Sequence, residues 1–296
     1  GLASANHVVT VDTTAPAAPT IASVVDNQGS IDGNLVSGAV TDDTQLVVRV
    51  NLPSTGSLAV AGDFVQLFNG SASLGSAIAL SAGNITDGFI DVTTPVLSDA
   101  TTYTLNAQII DIAGNASAAS ADHVVSVDTT APAAPTITSV TDDVGTPNGP
   151  IADNGASNDA QLLVRVGLPS SGSQAVAGDS VQLFNGSGVL GAAVTLSSTD
   201  ITNGFVEITT PSLTDATTYA LNARVIDIAG NQGVASANHT VSIDLTPPTA
   251  PSILTVTDDQ GAVQGAVTSG ASSDDTVLVI RVALPSSGSL AVAGDS

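Results

Sequence analysis

Oxygen-bearing side chains gather in the turns of this 296-residue sequence rather than spreading evenly along it. Asp26, Asp42 and Asp43 fall in one polar stretch, Asp63 follows a glycine, and Asp111 and Asn115 bracket an Ile-Ala-Gly turn. Further along, Asp142, Asp143 and Asp159, then Asp179, then Asp227 and Asn231 reproduce that order. Asp12, Asp128 and Asp244 each precede a short run rich in threonine and proline. Carboxylate, amide and backbone oxygens on pliable Asp/Asn/Gly loops suit a hard cation with about six to eight oxygen ligands, and calcium is that ion. Zinc would draw on histidine or cysteine, and the chain has three histidines and no cysteine. Turn aspartates also serve local structure by bonding their own backbone. Asp99 and Asp215 are read that way, since each opens an Asp-Ala-Thr-Thr-Tyr segment.

Chemistry beyond ion binding finds little to work with. His7, His123 and His239 stand 116 residues apart at one recurring place, so no repeat holds two of them. No Gly-x-Ser-x-Gly or Gly-x-x-x-x-Gly-Lys segment occurs, and the sequence predicts a protein that is not an enzyme. Four Lys+Arg against 27 Asp+Glu leave a formal charge of −23, which disfavours nucleic acid and anionic membranes as partners. No apolar run reaches the roughly 18 residues of a membrane span, so direct membrane insertion is not expected. Without cysteine there is no disulfide framework to staple small domains. Residues 1–6 lack the basic start and apolar stretch of a secretion signal, and the chain reads as an interior segment.

A period of 116 residues organises these loops. Val11-Asp12-Thr13-Thr14-Ala15-Pro16 returns as Val127 to Pro132 and as Ile243 to Pro248. Gly62-Asp63 returns as Gly178-Asp179 and Gly294-Asp295, and Asp111-Ile112-Ala113-Gly114-Asn115 returns at 227–231. The expected organisation is a last strand of a preceding repeat over 1–11, complete repeats over 12–127 and 128–243, and the opening of a third over 244–296. Short β-branched segments alternate with Gly, Pro, Asn, Asp and Ser clusters, the pattern of an all-β sandwich. In the second repeat seven strands are expected near 136–141, 161–168, 180–185, 189–196, 204–209, 218–226 and 235–243. Leu162, Val164, Val166 and Leu168 share one parity and should face the core, leaving Arg165 outside. Tyr103 and Tyr219 fit a tyrosine corner at the start of the sixth strand. Phe64, Phe68, Phe89, Phe184 and Phe205 are read as core packing.

As a set in fixed order, the Val-Asp-Thr-Thr-Ala-Pro-Ala-Ala-Pro linker, the Asp-Ile-Ala-Gly-Asn loop after a Tyr-x-Leu-x-Ala strand, and the Val-Gln-Leu-Phe-Asn-Gly strand resemble a known family. It is the bacterial immunoglobulin-like (BIg-type) tandem repeats of giant secreted adhesins, including the extender regions of RTX-type adhesins. The resemblance spans the chain. It implies immunoglobulin-like domains of about seven strands stacked end to end, calcium at or near their junctions, and a role in holding an adhesive tip away from the cell. The stretch 53–62 between the second and third strands is longer than in the commoner members, so ligand positions do not transfer one for one.

A sandwich topology decides which loops can meet. At the linker around Asp128, Asp26, Asp42 and Asp43 of the first repeat should approach Asp179, Asp227 and Asn231 of the second. At the next, Asp244 is expected with Asp142, Asp143 and Asp159 below and Asp295 above. Asp12, Asp63, Asp111 and Asn115 form the equivalent upper set of the first repeat. Pro16, Pro19, Pro132 and Pro135 stiffen these joints by fixing φ. The expected role is a calcium-stiffened spacer at a bacterial cell surface, exported by a type I route, serving adhesion or biofilm formation, with neighbouring repeats as its partners. Two other classes remain open: an extracellular filament or matrix component with lateral self-association, and repeats that bind a glycan or surface directly.

Overall fold

The structure is a computed structural model that describes residues 4–145, 148–287 and 289. The first period carries β1 (Thr20–Asp26), β2 (Gly33–Asn34), β3 (Ala39–Thr41), β4 (Val47–Asn51), β5 (Phe64–Asn69), β6 (Ala72–Ala79), α1 (Ala82–Asp87), β7 (Phe89–Thr93), β8 (Thr101–Ile110) and β9 (His123–Val127). They form two sheets, ordered β2-β1-β4-β7 and β3-β9-β8-β5-β6. Pairing is antiparallel except between β3 and β9, which run parallel with Ala39 opposite Val125. The chain is thus a tandem all-β protein of sandwich type.

Alternation builds the core. Along β4, Val48 and Val50 are fully buried while Arg49 between them is exposed. Along β8, Tyr103, Leu105, Ala107 and Ile109 all point inward. These side chains pack with Val24, Leu46, Val65, Leu67, Val125 and Val127 into one apolar cluster. Period-2 patterning places every apolar residue of a strand on one face, so the two sheets can close over each other.

The second period repeats the order with β10 (Thr136–Asp142), β11 (Gly149–Pro150), β12 (Gly155–Ser157), β13 (Leu163–Gly167), β14 (Ser180–Asn185), β15 (Gly188–Thr195), α2 (Ser198–Asn203), β16 (Phe205–Thr209), β17 (Thr217–Ile226) and β18 (His239–Ile243). Its sheets are β11-β10-β13-β16 and β12-β18-β17-β14-β15. Leu162, Val164 and Val166 are buried and Arg165 is exposed, as parity requires. The seven expected strands are present, though the last is shorter, beginning at His239. The short strands β2, β3, β11 and β12 and the helices were not anticipated. Each helix has six residues, too few for a periodic signal, and depends on its caps. Ser81 and Asn84 form a reciprocal capping box, as do Ser197 and Asp200, and each helix ends on a left-handed glycine, Gly88 (φ 77°) or Gly204 (φ 75°).

The third period contributes β19 (Ser252–Asp258), β20 (Gly265–Ala266) and β21 (Val279–Ala283), in one sheet ordered β20-β19-β21. Ile280, the counterpart of fully buried Val48, is 54% exposed, because among the described residues this sheet has no facing sheet. By mutual packing the residues form two compact units. One is Gly1–Thr138, Arg165–Ile208 and Asn222–Asn238, and the other is Ser139–Val164, Thr209–Leu221 and His239–Ser296.

The aromatic expectation needs correction. Only Phe184 is buried; Phe64 is 38% exposed, and Phe68, Phe89 and Phe205 are partly exposed. Phe89 has the parity of Asp91, and Phe205 that of Glu207, so both rings lie on the outer face of their sheet. There the Arg49 guanidinium stacks 4.1 Å above Phe89 while bonding both oxygens of Asp91 at 2.7 and 2.8 Å. Arg165 likewise stacks 4.1 Å above Phe205, but its Nε and Nη2 both donate to one oxygen of Glu207, Oε1, at 3.0 and 2.6 Å. The tyrosine corner is present, since Tyr103 Oη accepts from the Ser98 amide at 2.8 Å and Tyr219 Oη from Thr214 at 2.9 Å.

Candidate cation site at the first junction

The loop Asp227–Asn231 follows β17 and is shaped by its own carboxylate. Asp227 Oδ1 accepts from the amides of Ala229 and Asn231, both at 2.9 Å, and Oδ2 from Asn231 Nδ2 at 2.8 Å. Asn231 Nδ2 also donates to the linker carbonyl of Asp128 at 2.8 Å, tying loop to linker. Asp111 and Asn115 repeat this in the first period, with Asn115 Nδ2 reaching Asp12 O at 3.2 Å.

The second-period loop meets the turns after β1 and β3. The Asp42 amide donates to Ala229 O at 3.2 Å and Ser30 Oγ to Gly230 O at 2.6 Å. Gly230 is left-handed (φ 103°), and a Cβ there would press on the Ile31 amide and the Asp42 carboxylate. Ala229 is 1% exposed whereas its counterpart Ala113 is exposed. A cleft beside the contact is lined by Ser30, Asp42, Gly230 and Asn231.

Carboxylates converge here. Asp42 is pushed above the ordinary aspartate range first by burial, then by the neighbouring charge of Asp26, against its own amide, with Asp227 and Asp43 adding to the rise. Asp179, 1% exposed, is raised by burial and by the charges of Asp227 and Asp128, while the Val176 and Ile228 amides act in the other direction. Asp227 is common to both. Asp42 Oδ1 and Asp179 Oδ1 are each buried without a hydrogen-bond partner. A buried charged oxygen left unpaired costs about 1–3 kcal/mol or more. Two carboxylates ~4 Å apart repel by about 1 kcal/mol in water and about 4 where the effective dielectric is near 20.

The other aspartates have work within the chain. Asp26 accepts from Thr41 Oγ1 at 2.5 Å and from the Gln28 amide at 2.9 Å; Asp43 accepts from the amides of Gln45 and Asn27. Asp142 and Asp159 are used identically, by Ser157, Val144, Gln161 and Asp143. Asp63 is held by the amides of Val60 and Ile112, and Asp12, Asp128 and Asp244 each receive the amide two residues on. Asp143 is exposed. Asp295 lies outside the described residues. Among the described residues no three carboxylate or imidazole groups form a metal cage by themselves. At the first junction Asp42 and Asp179 each feel the charge of Asp227, whose own oxygens are engaged by its loop. The two unpaired carboxylate oxygens, Asp42 Oδ1 and Asp179 Oδ1, are hard donors of the kind calcium takes, and either would need backbone carbonyls and water to complete a coordination shell.

Asp99 and Asp215 do more than open the tyrosine corner. Asp99 accepts from the Thr129 amide at 2.7 Å and Thr130 Oγ1 at 3.2 Å, and Asp215 from the Leu245 amide at 2.7 Å and Thr246 Oγ1 at 2.8 Å. Each clamps the linker leaving its repeat. These bonds, led by the backbone one, hold both carboxyls below their ordinary value of 3.8. Because the folded value is depressed, the clamp is complete above 3.8 and is lost as pH falls through the lower folded value. The Thr129 and Leu245 amide resonances should therefore titrate with midpoints below 3.8 in a pH series by NMR; midpoints at or above it would contradict the clamp.

No family model and no curated protein matches the sequence. Among solved structures, the chain is similar to the FN1–FN3 domains of chicken CNTN1, with a TM-score of 0.43 and 14% identity over 78% of this chain and 68% of that one. It is also similar to the human OSCAR ligand-binding domain, with a TM-score of 0.29 and 13% identity over 76% of this chain and 98% of that one. These likenesses are too distant to carry function, and the fold assignment rests on the sheets themselves.

Proposed function

We propose that this chain is a structural spacer from a large bacterial cell-surface adhesin, in which calcium at the junctions stiffens successive repeats. The observation that supports it is the first junction, where Asp42 and Asp179 keep unpartnered buried oxygens around Asp227. The unpaired oxygen of Asp42 or of Asp179 would meet the ion together with backbone carbonyls and water; bound there, calcium would offset the charge of Asp227 and link the turns after β1 and β3 to the loop after β17. The resemblance of the linker and loop motifs supports an extracellular location and type I export. Among the described residues no helix is long and apolar enough to cross a membrane.

Lateral association is the second reading, favoured by one feature. The edge strands β6 and β15 are eight residues long, almost wholly exposed and free of charged residues. Each is interrupted by a left-handed glycine, Gly75 or Gly191, whose carbonyl is taken up by the buried amide of Gln66 or Gln182. That irregularity blunts the edge, and the spacer reading is preferred. Calorimetric titration of the intact chain with calcium tests it, with saturable uptake expected and an absence of binding heat and of any thermal shift overturning the ion.

A further inference from the structure

We propose that His123 is an acid-sensitive latch: its neutral ring closes one end of the first core and holds the crossover from β1 to β3 against β9, and protonation of that ring releases the crossover.

Placement comes first. His123 opens β9 directly opposite Leu105 of β8, which is fully buried, and cross-strand partners project to the same face of a sheet, so the imidazole points inward with Val125 and Val127. His239 stands opposite fully buried Leu221 in the same way. Both residues are half-buried as a whole, yet Nε2 of each is closed off from solvent and has no hydrogen-bond partner. A bare ring nitrogen tolerates such a place. An N–H there would be a buried donor without an acceptor, so protonation favours a ring that has moved out to water.

The segment beside the ring is the crossover that leads from β2 into β3. Leu35 N donates to Val24 O at 2.8 Å, Gly38 N to Val124 O at 2.7 Å, and Val124 N to Ser37 Oγ at 3.0 Å. The Leu35 side chain packs against the core. Both bonds from 37 and 38 use Val124, the residue after His123, so displacing the ring and its backbone loosens them together. Downstream, β3 runs into Asp42, whose amide meets Ala229 O at 3.2 Å, and a released crossover therefore slackens that contact between the first and second periods as well.

Burial pushes the imidazole below its ordinary value of 6.5, while hydrogen bonding with the Leu35 backbone acts in the other direction. The titratable groups on the surrounding elements are Asp26 on β1, Asp32 before β2, Tyr103 on β8 and Asp122 before His123, and none of them contributes to the shift. A formal charge of −23 favours protonation anywhere on the chain, but at this ring burial prevails. Because the folded value is depressed, the stability contributed by the neutral ring is complete above 6.5 and is lost as pH falls through the lower folded value.

Proton NMR of the intact chain from about pH 7.5 to about pH 5, the range in which imidazoles change charge, follows the His123 ring and the hydrogen exchange of the Gly38 and Val124 amides, with exposed His7 as the reference ring. The His123 midpoint is expected below 6.5. The opening constant of both amides, corrected for the intrinsic pH dependence of exchange, should rise by up to about tenfold per pH unit as the ring takes up its proton. In His123→Gln, which removes the titration, the opening constant should stay level across the range. A ring midpoint at or above 6.5, amides whose opening ignores pH in the unaltered chain, or the same rise in His123→Gln would each overturn the latch. The first two readings need no variant and decide the matter even where the glutamine chain fails to fold.

Discussion

Asp227→Asn is expected to eliminate calcium binding at the first junction while the fold persists. Asp227 is the charge felt by both Asp42 and Asp179, so losing it removes the negative charge that would draw an ion to them. An ion that binds the folded form at 100 times its dissociation constant contributes about 2.7 kcal/mol, and the variant should forfeit that difference between calcium and chelator. Two effects oppose each other in chelator. The neutral side chain relieves repulsion on Asp42 and Asp179, but it weakens the bonds that Oδ1 and Oδ2 accept from Ala229 and Asn231. The calcium-minus-chelator difference in unfolding temperature isolates the ion from both. A difference equal to that of the unaltered chain would place the ion elsewhere.

Leu105→Ala is expected to destabilise the first sandwich by about 2–5 kcal/mol, the range for deleting a buried leucine side chain. Leu105 is fully buried at the middle of β8, within the apolar cluster that joins the two sheets. With no tryptophan and only two tyrosines, fluorescence is a poor probe, and calorimetric or circular-dichroism melting is the appropriate measurement. The same substitution should cost equally in calcium and in chelator, because no oxygen ligand is touched. A loss below about 1 kcal/mol would mean that the site collapses around the cavity and the core is not close-packed.

Strand parity was the most legible property of the sequence. Alternation around Arg49 and Arg165 determines both what is buried and what lies outside, and a lone tyrosine after Asp-Ala-Thr-Thr marks its corner. Features defined by a single hydrogen bond were harder to read. The six-residue helices follow from Ser81 with Asn84 and Ser197 with Asp200, a capping pattern that is visible only once a helix is suspected. Phe89 and Phe205 depart from the expected core packing: a phenylalanine in a strand usually faces the core, whereas here an arginine covers each ring from outside.

The candidate ligands show the same limit. An aspartate that binds its own turn and one that waits for an ion look alike in sequence. Asp26, Asp43, Asp142 and Asp159 have their oxygens occupied by neighbouring amides and hydroxyls. Asp42 and Asp179 each keep one oxygen, Oδ1, without a partner, whereas both oxygens of Asp227 are taken up by its own loop. Only the pairing of each oxygen separates these groups. The linker clamp by Asp99 leaves no sequence signature for a related reason, as its partners Thr129 and Thr130 lie 30 and 31 residues further on, at no spacing a motif would reveal.

In the proposed spacer, a divalent ion converts mutually repelling carboxylates at a repeat junction into a rigid joint. Small-angle scattering of the intact chain, in millimolar calcium and again after chelation, tests it most directly. The particle should be longer and stiffer with calcium and should lose maximum dimension and gain flexibility without it. Identical scattering in the two solutions would contradict the account.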